Sequence, residues 1–140
     1  MDYRSDKPLR DNERTLVEIL SSLEKKYGAI VVVVEGKRDE RVLRNLGFSG
    51  KVIRTQTQST RVQVADQITM ERDPESQVLI LTDFDAEGIQ IAKFLEQELE
   101  LRKVLVLKGL RRRIRNVMGN WRCIEELVSL FKRKDSPEPE

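Results

Sequence analysis

The 140-residue sequence predicts an α/β fold with a central parallel sheet. Short apolar runs rich in valine alternate with stretches whose apolar residues recur at helical spacing, and this alternation is typical of parallel sheets covered by helices. The runs "AIVVVVE" (29–35) and "QVLILT" (77–82) are almost wholly apolar, as strands buried on both faces are. We expect a Rossmann-like sheet of about four strands, with extra helices at both ends.

The elements can be placed in order along the chain. Strands are predicted at 29–35, 51–55, 77–82 and 103–107, and helices at 12–26, 39–46, 59–70, 86–101, 111–118 and 121–132. Asp39 and Ser59 are expected to cap the second and third helices. Val62 and Ile89 are expected on the buried faces of the third and fourth helices.

A single domain is expected at 1–134, followed by a polar, proline-broken tail at 135–140 that we expect to be disordered. No apolar run approaches the ~20 residues of a membrane span, so no membrane partner is expected. The first ten residues contain no apolar core of a signal peptide. The only cysteine, Cys123, cannot form an internal disulfide and fits a reducing compartment, so we expect a cytoplasmic protein.

The absence of histidine excludes several kinds of site. A Ser-His-Asp triad, a histidine general base and an HExxH zinc site all require it. One cysteine without histidine also cannot form a structural zinc site. Acid, base or metal chemistry must therefore rest on carboxylates, lysines or tyrosines.

Three carboxylates follow the two most apolar predicted strands. Glu35 ends the first of them, and Asp83 and Asp85 directly follow the third strand of the chain. Ligands of open parallel sheets bind beyond the carboxyl ends of the strands, so we expect all three at one edge, with Phe84 turned away into packing. Carboxylate clusters suit Mg²⁺, which prefers oxygen ligands. Alternatively, either aspartate serves only as a turn or N-cap residue before the helix at 86–101.

The segment "EGKRD" (35–39) raises a similar choice. Gly36 permits a tight turn and close approach of a ligand to the backbone. Lys37 and Arg38 are candidates for contact with phosphate oxygens, or else are solvated loop residues. Asp39 either caps the following helix or supports the metal ligands from behind.

These two segments together resemble the Toprim domain of topoisomerases, bacterial primases and several nucleases. "EGKRD" (35–39) and "DFDAEG" (83–88) stand in the order of that family's motifs, each after a buried strand. The resemblance implies that Glu35 is the general acid or base, that Asp83 and Asp85 hold Mg²⁺ (with Glu35 as a further candidate ligand), and that Gly36 and Gly88 are the turn glycines. Mn²⁺ is expected to substitute. The short chain is similar to small stand-alone Toprim proteins, related to the nuclease that matures bacterial 5S ribosomal RNA.

A basic stretch follows the predicted sheet. The chain carries a net charge of only +2, yet residues 101–124 contain no acidic side chain. The candidates for binding phosphate in this stretch are Lys108, Arg111, Arg112, Arg113 and Arg115. Such a surface attracts the nucleic-acid backbone with little sequence preference. The alternative is a solvated helix paired with Glu96, Glu98 and Glu100.

The sequence therefore predicts metal-dependent hydrolysis of phosphodiester bonds, with nucleic acid as the partner and RNA favoured over DNA. A non-catalytic nucleic-acid-binding module is the main alternative. A topoisomerase is disfavoured because neither Tyr3 nor Tyr27 is a convincing nucleophile, and a primase because further domains would be needed. The choice between a monomer and a homodimer stays open.

Overall fold

The computed structural model of the protein describes residues 11–119. The helix predicted at 121–132, the tail at 135–140 and the ends of the predicted domain lie outside these residues. The strands are β1 (Ile30–Val34), β2 (Lys51–Arg54) and β3 (Gln77–Ile80). The helices are α1 (Asp11–Ser21), α2 (Leu23–Tyr27), α3 (Lys37–Asn45), α4 (Arg61–Glu71), α5 (Ala86–Leu101) and α6 (Lys108–Met118).

The predicted α/β class is confirmed. The three strands form a parallel sheet in the order β2-β1-β3, so the valine-rich β1 lies in the centre. All five residues of β1 are buried, because helices cover both faces of the sheet. Ile30, Val32 and Val34 pack toward α1, α2, α3 and α6, whereas Val31 and Val33 pack toward α4 and α5.

The prediction of a fourth strand at 103–107 is wrong for the described part of the chain. Only Val106 pairs with the sheet, as an isolated parallel bridge to Val78. The helix α6 begins at Lys108, three residues earlier than predicted, and this start removes the chain from the sheet edge before a ladder can develop. Among residues 11–119, no strand therefore lies beside the outer edge of β3 beyond Val78.

The first predicted helix is divided at Ser22 into α1 and α2. The Ser21 hydroxyl donates to the Val17 carbonyl at 2.7 Å and the Ser22 hydroxyl to the Glu18 carbonyl. Such bonds to the preceding turn compete with the helical backbone and bend or break helices.

Three expectations about helix ends and faces are corrected. Thr60 rather than Ser59 caps α4, and its hydroxyl accepts the Gln63 N–H at 3.1 Å. The buried face of α4 therefore carries Val64, Ala65 and Ile68, and Val62 is exposed. In α5, whose bounds are as predicted, Ile89 is exposed, while Ala92, Leu95 and Leu99 are buried. None of the helices between residues 11 and 119 is long and apolar enough to cross a membrane.

Candidate functional site

The ends of β1 and β3 meet at one edge of the sheet, as the sequence predicts. Glu35 directly follows β1, and its Oε2 accepts a hydrogen bond from the Asp83 N–H at 2.9 Å. Two residues earlier in each segment, the Leu81 N–H donates to the Val33 carbonyl at 2.7 Å. The pairing of β1 with β3 therefore continues up to Glu35 and Asp83. The strand ladder thus places the carboxylate of Glu35 against the backbone of the "DFD" segment.

Glu35 is buried, with 7% of its surface exposed, in a negative environment. Burial raises the pKa of Glu35, the hydrogen bond from Asp83 opposes that rise, and the charges of Asp85, Asp39 and Glu87 add to it. Glu35 therefore holds a proton to higher pH than an ordinary glutamate does.

Gln56 is a neighbour of Glu35 that the sequence reasoning missed. Its backbone N–H donates to the Glu35 carbonyl at 2.8 Å, and its side-chain Nε2 lies 3.5 Å from Glu35 Oε1. The signal was present in the sequence, because Gln56 follows the predicted second strand and the carboxyl ends of parallel strands share one edge. A polar loop, 55–60, therefore borders the carboxylates on the side of β2.

Asp85 begins α5 as its N-cap residue. Its Oδ1 accepts the Gly88 N–H at 2.8 Å, and the side chain is exposed to solvent. Asp85 therefore has the N-cap role that was the alternative to metal binding. This role uses only one of its two carboxylate oxygens, Oδ1. Phe84 packs against the core as predicted.

Neither motif glycine has a positive backbone φ, and Gly88 is required for close packing. A Cβ on Gly88 would overlap the carbonyl oxygen of Asp83, so the first turn of α5 can lie against the "DFD" segment only with glycine there. Gly36 has an extended backbone, and its N–H donates to Asp39 Oδ2 at 3.1 Å. Asp39 is the third residue of α3 rather than its N-cap, and it fixes the start of that helix beside Glu35.

Six of the seven predicted basic residues divide into three groups. Lys37 and Arg38 are exposed in the first turn of α3. Lys108 forms an ion pair with Glu100 at 2.7 Å, as the alternative of a paired basic helix predicts. The exposed side of α6 carries Arg112, Arg113 and Arg115, and we call these three residues the α6 basic face.

Arg111 does not lie on that face. It is 8% exposed and sits on the buried side of α6 with Leu110, Ile114 and Met118. Burial lowers the pKa of Arg111 to about 10, which leaves it charged at neutral pH. The expectation that Arg111 is a solvent-facing phosphate ligand is therefore wrong, because its guanidinium is directed into the protein.

Comparison with known proteins identifies the fold around these carboxylates. A family model, described as the Toprim domain, matches residues 30–117. The chain belongs to the Toprim family. The match contains every predicted site residue, from Glu35 to Arg115.

Archaeal relatives show which Toprim proteins are similar in length and sequence. A UPF0292 protein of Thermococcus gammatolerans is 33% identical over 88% of this chain and 88% of the relative. One from Archaeoglobus fulgidus is 35% identical over 79% and 83%, and one from Methanocaldococcus jannaschii 32% identical over 85% and 91%. This Toprim protein is thus a member of the UPF0292 family, and it covers most of the length of these relatives.

A solved structure supports the same fold. A protein from Aquifex aeolicus matches with a TM-score of 0.65 and 26% identity, over 81% of this chain and 98% of that chain. Toprim proteins bind metal and act on nucleic acid, and Mg²⁺ is their typical ion. The relation to the 5S ribosomal RNA maturation nuclease stays a prediction.

The carboxylates fit such an ion as a pair rather than as a cluster of three. Within residues 11–119 no three acidic side chains converge as direct ligands of one metal. Glu35 is turned to the Asp83 N–H and Asp85 to the Gly88 N–H, which accounts for the lack of a three-carboxylate arrangement. Mg²⁺ often takes only one or two carboxylates and completes its coordination with water and substrate phosphate. Asp83 and Asp85 fit that pattern, and Glu35 fits a role beside them.

Two grooves of the described residues lie away from the carboxylates. A groove of about 380 Å³ lies at the opposite edge of the sheet, where Ala29, Gly50 and Ser76 are among its lining residues. A second groove of about 190 Å³ lies between α6 and α2 and includes Arg113 and Tyr27. Neither groove includes Glu35, Asp83 or Asp85.

Glu35→Gln should change the pH dependence of stability in a definite direction. Folding raises the pKa of Glu35 above its ordinary 4.5. The contribution of Glu35 to the free energy of unfolding is therefore greatest below pH 4.5, and it is lost as pH rises through the folded-state pKa. In chelator at pH 7, Glu35→Gln should therefore unfold at a higher temperature than the wild type. The difference should shrink toward zero below pH 4.5, and melting curves at pH 4 and pH 7 measure it. Equal melting temperatures at pH 7 would contradict the assigned direction of the shift.

Proposed function

We propose that this Toprim protein hydrolyses phosphodiester bonds of nucleic acid, with RNA as the favoured substrate and Mg²⁺ as the cofactor. The observation that supports this most is the 2.9 Å hydrogen bond from the Asp83 N–H to Glu35 Oε2. It brings the group suited to proton transfer beside the group suited to metal binding.

Asp83 and Asp85 are the residues that would hold the metal. Both belong to the short connection between β3 and α5, and the close contact of Gly88 with the Asp83 backbone fixes that connection. When bound, Mg²⁺ supplies positive charge that neutralises and orients the scissile phosphate. Mn²⁺ shares the preference for oxygen ligands and is expected to substitute.

Glu35 would move the proton. Its Oε2 already accepts the Asp83 N–H, so Oε1 is the atom at which a proton is taken up or released. The raised pKa brings Glu35 closer to neutral pH, where a general acid or base is most effective. Gln56, 3.5 Å from Oε1, limits the rotation of the carboxylate.

The α6 basic face would bind the sugar-phosphate backbone. The α6 helix lies against the end of β3, since Arg111 on its buried side reaches the carbonyl oxygens of Ile80 and Thr82. Arginine can donate two hydrogen bonds to one phosphate, and the three exposed arginines give α6 a positive solvent-facing side. Lys37 and Arg38 add positive charge at the start of α3.

Removing two arginines of this face should weaken binding without sequence preference. For Arg112→Ala with Arg115→Ala, we expect the slope of log affinity against log salt to fall by about 1 for each substituted arginine that binds a phosphate. The matched control is Arg61→Ala with Lys93→Ala, which removes equal charge from α4 and α5 on the other face of the sheet. Binding isotherms at four salt concentrations measure the slopes. A slope equal to that of the wild type would show that the α6 basic face is not the binding surface.

A non-catalytic nucleic-acid-binding module is the second candidate. The lack of three converging acidic ligands within residues 11–119 favours it. The two functions differ in their response to chelator. Labelled RNA, including 5S precursor RNA, should be cut by the wild-type protein in Mg²⁺ and bound but left intact in EDTA, with labelled DNA tested beside it. Equal binding in both conditions without any cleavage would favour the module.

A further inference from the structure

The outer edge of β3 is completed by a side chain instead of a strand. Val78 exchanges two backbone hydrogen bonds with the segment before α6, from its N–H to the Leu105 carbonyl at 3.0 Å and from the Leu107 N–H to its own carbonyl at 2.8 Å. Alternate residues of a strand direct their backbone groups to the same side, so Ile80 and Thr82 follow Val78 on this edge. No strand within residues 11–119 reaches them, because the chain has already entered α6.

The guanidinium of Arg111 takes the place of that missing strand. Its Nη1 donates to the Ile80 carbonyl at 2.9 Å and to the Thr82 carbonyl at 3.0 Å, and Nη2 lies 3.4 Å from the Asp83 carbonyl. The same group lies over the ring of Phe84, with 4.4 Å between the guanidinium carbon and the ring centroid. The side chain of Arg111 thus contacts the backbone of Ile80, Thr82 and Asp83. It also contacts the ring of Phe84.

The residue Asp83 is consequently held from three sides. Glu35 accepts its N–H from the side of β1, and Arg111 approaches its carbonyl from the side of α6. Gly88 packs against the same carbonyl from α5. The path of the backbone from Ile80 to Asp85 determines where the carboxylates of Asp83 and Asp85 lie, and Arg111 is the contact that links this path to α6.

We propose that Arg111 is a positioning residue, which fixes the "DFD" segment so that Asp83 and Asp85 can bind the metal and which connects the metal site to the α6 basic face. The part of this proposal that concerns metal rests on the proposed function. Arg111 itself touches neither metal nor substrate. Its neighbours on the helix, Arg112, Arg113 and Arg115, face solvent and have the separate task of binding the backbone of the nucleic acid.

Arginine is the residue type that this arrangement requires. A planar guanidinium presents five donors in a fixed fork, and so it can serve several carbonyl oxygens while stacking on an aromatic ring. Lysine keeps the charge, but its single ammonium cannot reproduce the fork or the stacking. Arg111→Lys therefore separates the geometry of the contact from its charge, and Arg112→Lys is the same change at an exposed position of the same helix.

The test combines backbone exchange with metal affinity. In Arg111→Lys we expect the amide protons of residues 82–85 to exchange at least about 10-fold faster than in the wild type, while the rest of the sheet is protected as before. Mg²⁺ affinity, measured by calorimetry, should fall by about 10–100-fold, the usual effect of losing a residue that orients metal ligands. Nucleic-acid binding in EDTA should stay unchanged. Arg112→Lys should leave both the exchange and the Mg²⁺ affinity at wild-type values.

Each outcome decides for or against a positioning role. An Arg111→Lys protein with a lower melting temperature but unchanged Mg²⁺ affinity and unchanged exchange at 82–85 would make Arg111 a purely structural residue and overturn the proposal. If the wild type binds no Mg²⁺, while Arg111→Lys still accelerates exchange at 82–85, the proposed function fails and the hold on the segment is supported.

A measurement on the wild type keeps the proposal testable should Arg111→Lys not fold. In the wild type, the guanidinium protons of Arg111 should exchange with solvent at least about 10-fold more slowly than those of Arg112. Carbonyl acceptors and burial protect the protons of Arg111. Addition of Mg²⁺ should slow them further, since metal on Asp83 and Asp85 would rigidify the segment that Arg111 holds. Equal exchange rates for the two arginines would overturn the proposal.

Discussion

Glu35→Gln should reduce turnover by about 10²–10⁴-fold, the usual loss when a general acid or base is removed. The glutamine oxygen can still accept the Asp83 N–H, so the junction between β1 and the "DFD" segment should persist. Nucleic-acid binding should be kept or slightly tightened, because the phosphate contacts come from other residues and one negative charge is gone. Single-turnover cleavage and a binding isotherm on the same preparation separate the two effects.

The control for this variant is Glu71→Gln. Glu71 ends α4 and lines the groove at the opposite edge of the sheet, so this substitution makes the same chemical change away from the carboxylates. It should cleave at the wild-type rate. Wild-type cleavage by Glu35→Gln would remove Glu35 from the mechanism.

Asp83→Asn combined with Asp85→Asn should abolish binding of Mg²⁺ and Mn²⁺ and leave the fold intact. Asparagine caps helices about as well as aspartate, so the hydrogen bond from the Gly88 N–H to residue 85 should survive. Loss of the Asp85 charge relieves repulsion with Glu35, and the melting temperature in chelator should not fall. Calorimetric titration of metal into the wild type and the double variant measures the effect.

Asp73→Asn provides the control for the metal titration. Asp73 is an exposed carboxylate in the groove at the opposite edge, and its substitution should not alter metal affinity. Undiminished binding of metal by the double variant would show that Asp83 and Asp85 are not the ligands.

The sheet and the position of the carboxylates could be predicted because burial leaves a direct record in the sequence. A strand covered on both faces must be apolar throughout, as "IVVVV" in β1 is, and polar residues at its end mark the open edge. The fourth strand could not be predicted reliably, since "KVLVL" satisfies the same pattern. This segment does not form a strand because α6 begins directly after it. Arg111 of α6 then contacts the Ile80 carbonyl at the edge that a fourth strand would occupy.

The role of Arg111 was missed because a run of arginines looks uniform in composition. The helical spacing did contain the distinction: Leu110, Ile114 and Met118 form the buried side of α6, and Arg111 lies beside them at spacings of three and seven from the last two. Arg112 and Arg113 point away from that side. The sequence reasoning assigned all of these arginines to one basic surface, whereas the spacing of the apolar residues separates Arg111 from the arginines that face solvent.

One side-by-side cleavage assay tests most directly whether these carboxylates cut nucleic acid with the help of metal. Wild type and the Asp83→Asn, Asp85→Asn double variant, purified in parallel, are incubated with end-labelled RNA and DNA in Mg²⁺, in Mn²⁺ and in EDTA. We predict metal-dependent cleavage of RNA by the wild type alone. Equal cleavage by both proteins, or intact substrate in every reaction with the wild type, would contradict the claim.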